Sequence, residues 1–164
     1  MNEKEGRILV VDDDKELADT LVEYLTKLGY QVTPAYGGKE ALITFEQGGF
    51  RVIITDLKMP EMDGMKLLEK VRKLDSKATV IIVTGYGSIE SAVEAIKCGA
   101  YDFITKPFEM EVMRAIVNRA MERHSILRKL HVFRGLSLAL IISVPLWLLL
   151  GVFLALVWKS VLFD

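Results

Sequence analysis

Apolar positions along the first 123 residues keep two different spacings in turn. Residues 7–11 (RILVV), 51–56 (RVIITD), 79–84 (TVIIVT) and 101–105 (YDFIT) are short apolar runs, as strands buried on both faces should be. Between them the apolar residues recur at helical spacing. Leu17, Leu21, Leu25 and Leu28 share one face of a helix predicted over 15–28, and Gly29 ends it. Residues 31–36 form a more polar strand carrying Pro34, which suits a sheet edge. Further helices are predicted over 39–47, 65–74 and 89–98, and from residue 109 onward. Five strand–helix units with short connections imply an α/β fold with a parallel sheet covered on both faces. Right-handed crossovers make it doubly wound.

Charge divides the chain differently from hydropathy. Residues 1–113 hold 14 Lys/Arg against 20 Asp/Glu, a net of −6. Residues 114–134 hold six basic residues and one Glu, a net of +5. From residue 135 to 158 there is no charge. The chain therefore reads acidic, then basic, then apolar. Its N-terminus, MNEKEGR, is charged and followed by only four apolar residues, which fits no signal peptide. The single cysteine, Cys98, lies in an apolar-periodic run and reads as a small core residue in a reducing compartment.

Ligands of doubly wound sheets bind at the carboxyl ends of the strands. Here those ends carry Asp12 and Asp13, then Asp56, then Thr84, and the last strand leads into Lys106 and Pro107. One strand emerging on a carboxylate is ordinary. Four strands delivering polar groups to one edge make a site. Clustered carboxylates repel, so the site should bind a cation or stay partly protonated. Oxygen ligands without His or Cys favour a hard ion such as Mg²⁺. Magnesium takes one or two carboxylates, which leaves one free as a nucleophile, and Lys106 and Thr84 suit phosphoryl oxygens. Asp14 reads instead as a helix N-cap.

The motifs ILVVDDDKELADTL, VIITDLKMPEMDG, VIIVTGYGS and GAYDFITKPF resemble, in order and over residues 6–123, those of response-regulator receiver domains of two-component signalling. GYGSIESAVEAIK and AYDFITKPF are most like receivers of nitrogen-regulation-type activators. The resemblance implies a flavodoxin-like sheet of strand order 2-1-3-4-5. It implies that Asp56 accepts a phosphoryl group from a histidine kinase or phosphotransfer protein. Asp12, Asp13, Asp56 and the backbone carbonyl of Lys58 would hold Mg²⁺. Thr84 and Lys106 would meet phosphoryl oxygens, and Thr84, Phe103 and a cis Pro107 would form the switch.

Residues 135–158 (GLSLALIISVPLWLLLGVFLALVW) would reach about 36 Å as a helix, against a hydrocarbon core of about 30 Å. Their 15 Leu, Ile, Val and Phe residues gain on the order of 5–9 kcal/mol on insertion. We therefore expect a receiver over 1–123, a basic juxtamembrane linker helix over 124–134, a transmembrane helix over 135–158 and a short tail over 159–164. Arg119, Arg123, Arg128, Lys129 and Arg134 precede the span and only Lys159 closely follows it. The positive-inside rule then keeps the receiver cytoplasmic, on a single-pass inner-membrane protein. Small residues at 135, 139, 143, 151 and 155 admit a homodimer seam, or a chance stripe. No helix-turn-helix pattern fits the residues after 134, so no nucleic-acid partner is expected.

The expected function is that of a membrane-tethered, stand-alone receiver, a signalling domain rather than an enzyme, whose output is phosphorylation-dependent binding or dimerisation. Two alternatives differ in class. One is a phosphate sink, an autophosphatase that drains a kinase. The other is a membrane adaptor indifferent to phosphorylation.

Overall fold

The computed structural model describes residues 7–85 and 87–123 and, beyond these, Trp147. Five strands and five helices alternate over the continuous part: β1 (Arg7–Val11), α1 (Lys15–Lys27), β2 (Gln31–Ala35), α2 (Gly38–Glu46), β3 (Phe50–Asp56), α3 (Gly64–Leu74), β4 (Thr79–Thr84), α4 (Ile89–Lys97) and β5 (Asp102–Thr105), then α5 over 110–123. The strands are all parallel, in the order β2-β1-β3-β4-β5. This is the flavodoxin-like arrangement expected. The basic linker, the apolar stretch 135–158 and the tail lie outside the described residues, Trp147 excepted. Among the described residues no helix is long and apolar enough to cross a membrane.

Strand side chains alternate between the two faces, so each strand feeds two cores. Leu9, Val11, Ile53, Val80 and Ile82 join Leu67, Leu68 and Val71 of α3, with Ala41 and Phe45 of α2 and Ala95 of α4. Ile8, Val10, Val52, Ile54, Ile81 and Val83 join Ala18, Leu21 and Leu25 of α1 and Met113, Ile116, Val117 and Ala120 of α5. β3 and β4, flanked on both sides, are apolar almost throughout. β2, at the edge, tolerates Pro34 because it pairs only with β1. Cys98 is half-buried against the first core.

Local chemistry sets where α1, α3 and α4 start, close to where the spacing predicts. Asp14 caps α1, accepting hydrogen bonds from the backbone N–H groups of Glu16 and Leu17 at 3.1 and 3.2 Å. Gly29, at φ +87°, closes the same helix in the left-handed conformation. Asp63 caps α3 and a Ser88/Ser91 capping box opens α4. Each cap lies just past the carboxyl end of a strand, so every helix restarts from the edge that carries the polar residues.

Candidate functional site

Three strand ends and one loop meet at that edge. β1 runs into Asp12, β3 ends on Asp56 and β4 on Thr84, and all three are buried. Lys106 follows β5. Its backbone N–H donates to the Thr84 carbonyl at 2.8 Å, and the next peptide bond, Lys106–Pro107, is cis. The turn aims the lysine side chain back across the strand ends. Its ammonium donates to Asp12 Oδ2 at 2.7 Å and to Asp56 Oδ1 at 2.8 Å.

The remaining carboxylate oxygens are held by the backbone. Asp12 Oδ1 accepts from the Asp14 N–H at 3.0 Å, and Asp56 Oδ2 accepts from the Lys58 N–H. Burial raises the Asp12 pKa above its usual value, because the bonds from Lys106 and Asp14 only partly offset lost solvation. Burial also tends to lower the pKa of the Lys106 ammonium, but the two carboxylates outweigh it and raise the pKa. The ammonium therefore stays charged and neutralises one of the two buried carboxylates.

Asp13 is the member of the set that the structure does not bring in. It follows Asp12 directly but lies beyond the end of β1, and it is exposed. The expected repulsion among three clustered carboxylates thus becomes one ammonium between two. Among the described residues no three of His, Cys, Asp or Glu converge tightly enough to hold an ion. Two buried carboxylates still match the donor set of Mg²⁺, which asks for one or two carboxylates and completes its shell with water.

Thr84 is fully buried at the end of β4. Phe103, on β5, is half-buried against the first core, and its ring lies beside Gly87, where an added Cβ would stand 3.1 Å from it and 2.5 Å from Thr105 Cγ2. Two contributions went unpredicted. Gly64 packs its Cα onto the backbone of Asp56: a Cβ there would stand 2.2 Å from the Asp56 carbonyl oxygen. Gly38, at the start of α2, abuts Met62 in the same way, and Lys39 pairs with Glu61 at 2.9 Å, so α2 backs the loop after β3. The glycine eight residues after Asp56 was a legible signal. The α2 contact was not, since it joins segments with no shared pattern.

Comparison with known proteins bears on the family of this fold. The model of the family described as "Response regulator receiver domain" matches residues 8–118. The regulatory protein AtoC of Escherichia coli is 36% identical over 133 residues, 80% of this chain and 29% of that protein. The transcriptional regulatory protein YkoG of Bacillus subtilis is 35% identical over 74% of this chain and 53% of its own length. The chain thus spans about half or less of these curated relatives. Among solved structures, the signal receiver domain of a LuxO repressor protein from Vibrio parahaemolyticus superposes with a TM-score of 0.73 at 30% identity, covering 77% of this chain and 97% of that one. NtrX from Brucella abortus superposes at 0.71 and 32% identity, covering 76% of this chain and 29% of that one. With fold and family model in agreement, the chain belongs to the response regulator receiver domain family, whose members accept a phosphoryl group on an aspartate in two-component signalling, which implies a histidine kinase partner.

Proposed function

We propose that Asp56 is the aspartate that takes the phosphoryl group. One observation carries this: of the two buried carboxylates that Lys106 bridges, Asp56 alone is itself the last residue of a strand, β3, the central one of the five. Oδ1 or Oδ2 would attack phosphorus in line, the phosphorus–nitrogen bond to the donor imidazole would break, and the imidazole would leave with the electron pair. Mg²⁺, held by the buried carboxylates of Asp12 and Asp56 with the Lys58 carbonyl and, once its exposed side chain turned in, by Asp13, would supply charge neutralisation for the transferring oxygens. Lys106 and the Thr84 hydroxyl would take the phosphoryl oxygens once transfer is complete. Drawing Thr84 inward would move the β4–α4 loop on which Phe103 rests, with Pro107 fixing the far side.

The face reshaped by that movement is α4–β5–α5. It carries Ile89, Val93 and Ile96 on one stripe of α4, 81%, 47% and 50% exposed, and Val112 on α5, 44% exposed. An apolar stripe of this kind supports phosphorylation-dependent binding or homodimerisation as the output. Attachment to the inner membrane through residues 135–158 rests on their uncharged, apolar sequence.

The test is labelling of the full chain, in membranes, with a small phosphodonor and Mg²⁺. Label should appear on Asp56, be lost to hydroxylamine and be absent from Asp56→Asn. The labelled protein should stay in the pellet through an alkaline carbonate wash. Label surviving in Asp56→Asn overturns the acceptor, and release by carbonate overturns the span.

A further inference from the structure

The sheet has a second edge, where the strands begin, at the other end of β3 from Asp56. Between the carboxyl ends of α2 and α3 this edge opens into a cleft of about 300 Å³, at the lower end of the range for small-molecule sites. Its walls are apolar: Phe45 of α2, the Phe50 that starts β3, and Leu74 of α3, which is 56% exposed. The turn at Gly48 adds no side chain to close the mouth. Two exposed carboxylates, Glu46 and Asp75, complete the lining.

Both carboxylates stand where negative charge is least favoured. Glu46 is the last residue of α2 and Asp75 is the C-cap of α3, so each adds to the partial negative charge of a helix carboxyl end. α2 carries no basic residue in its last turn. Among the described residues neither Glu46 nor Asp75 forms an ion pair. Two neighbouring guanidiniums are turned to other partners. Arg7 lies over the Phe50 ring at 4.4 Å and donates to Thr33 Oγ1 at 3.1 Å, and Arg72 donates to the Ser76 and Ala78 carbonyls. Lys73, the other basic residue in the last turn of α3, is exposed and does not line the cleft. Apolar walls, two carboxylates and two helix carboxyl ends thus meet with no ammonium or guanidinium among the lining residues.

We propose that this cleft binds a small organic cation, an apolar body ending in a protonated amine. Its volume admits about ten non-hydrogen atoms, at the ~30 Å³ that a water takes up in the liquid. The body would displace water from Phe45, Phe50 and Leu74, and the ammonium would meet Glu46 and Asp75. An anion of the same shape would face two like charges and the negative ends of two helices.

The probe is phenethylammonium, titrated into the ¹⁵N-labelled full chain in a mild non-ionic detergent. Phenylacetate and 2-phenylethanol are the anionic and neutral controls of similar shape. The amide resonances of Gly48, Gly49 and Phe50 should shift saturably with the cation and stay in place with phenylacetate. The alcohol, and the cation on the Glu46→Gln/Asp75→Asn double variant, should each bind about fivefold more weakly, as two exposed charge pairs allow. Leu74→Lys, a change at an exposed position, sets an ammonium of the chain's own in the cleft and should abolish the shift. Absence of a saturable shift with the cation overturns the site, as does a shift that persists in Leu74→Lys. Alcohol, phenylacetate or the double variant binding as tightly as the wild-type pairing overturns the ligand class. Phosphoryl labelling of Asp56 belongs to the opposite edge and stands whichever way these results fall.

Discussion

Replacing Gly64 with alanine sets two effects of opposite sign against each other at the back of Asp56. Gly64 opens α3, and alanine in a helix interior is favoured over glycine by about 1 kcal/mol, with less gain at the first position. Against this stands space. The added Cβ would lie 2.2 Å from the Asp56 carbonyl oxygen and 3.1 Å from both the Asp56 carbonyl carbon and the Leu57 Cα, where ordinary contact begins at 3.4 Å. Every atom in the way is backbone, and the Gly64 N–H is itself bonded to the Leu57 carbonyl at 2.9 Å, so no side chain can swing aside. Forcing such a contact costs about 1–3 kcal/mol, and the lost space outweighs the propensity gain. The expected net loss is about 1–2 kcal/mol, or a fall in melting temperature of about 4–8 °C for a domain of this size. Gly85→Ala is the control, since a Cβ there meets nothing within 4 Å, and it should stay within about 0.5 kcal/mol of wild type. Thermal unfolding by circular dichroism reads both. Phosphodonor labelling should fall in Gly64→Ala alone, because the displaced group is the backbone of Asp56. A Gly64→Ala protein melting at or above wild type would refute the reasoning.

Two other outcomes follow from the same edge. Asp12 has a pKa raised by burial above its ordinary 3.8, so the native state holds its proton to higher pH than the unfolded chain does. Its contribution to stability is therefore best at low pH and is lost as pH rises through the native pKa; Asp12→Asn, in Mg²⁺-free buffer, should melt above wild type at neutral pH, with the gap closing as pH falls towards 3.8. Asp14→Ala, which removes the cap from the Glu16 and Leu17 N–H groups, should cost about 1 kcal/mol in urea unfolding while Asp14→Asn costs little.

The fold was legible because both periods are strong. The apolar runs ending at Val11, Asp56 and Thr84 mark strands to within a residue, and Leu17, Leu21 and Leu25 mark the buried side of α1. The roles of Asp14 as cap and of Pro34 on an edge strand were legible for the same reason: each depends on a local rule. What the pattern could not reveal was how side chains partner across distant segments. Lys106 is 94 residues from Asp12 and 50 from Asp56, and only the folded edge makes it a bridge between them. Adjacent carboxylates look equivalent in a sequence, yet the backbone sends Asp12 inward and Asp13 to solvent. The tight seat of Gly64 on Asp56 is likewise a property of packing, and a glycine in a string does not say what it touches.

The strand-end carboxylates also answer a problem that a sheet apolar on both faces creates for itself. A one-residue slip in a half-buried sheet exposes its apolar side, but β3 and β4 are apolar on both sides and a slip would leave greasy residues against greasy residues. Alignment needs another reference mark. Asp56 stands opposite Val83, the last position before β4 ends, and Lys106 ties it to Asp12 beyond the end of β1. Sliding β3 back by a residue or two would drag its carboxylate into the dry interior and away from the lysine, at several kcal/mol for an unpaired buried charge. The charges that ready the edge for chemistry are, by the same placement, the stops that hold the strands in step.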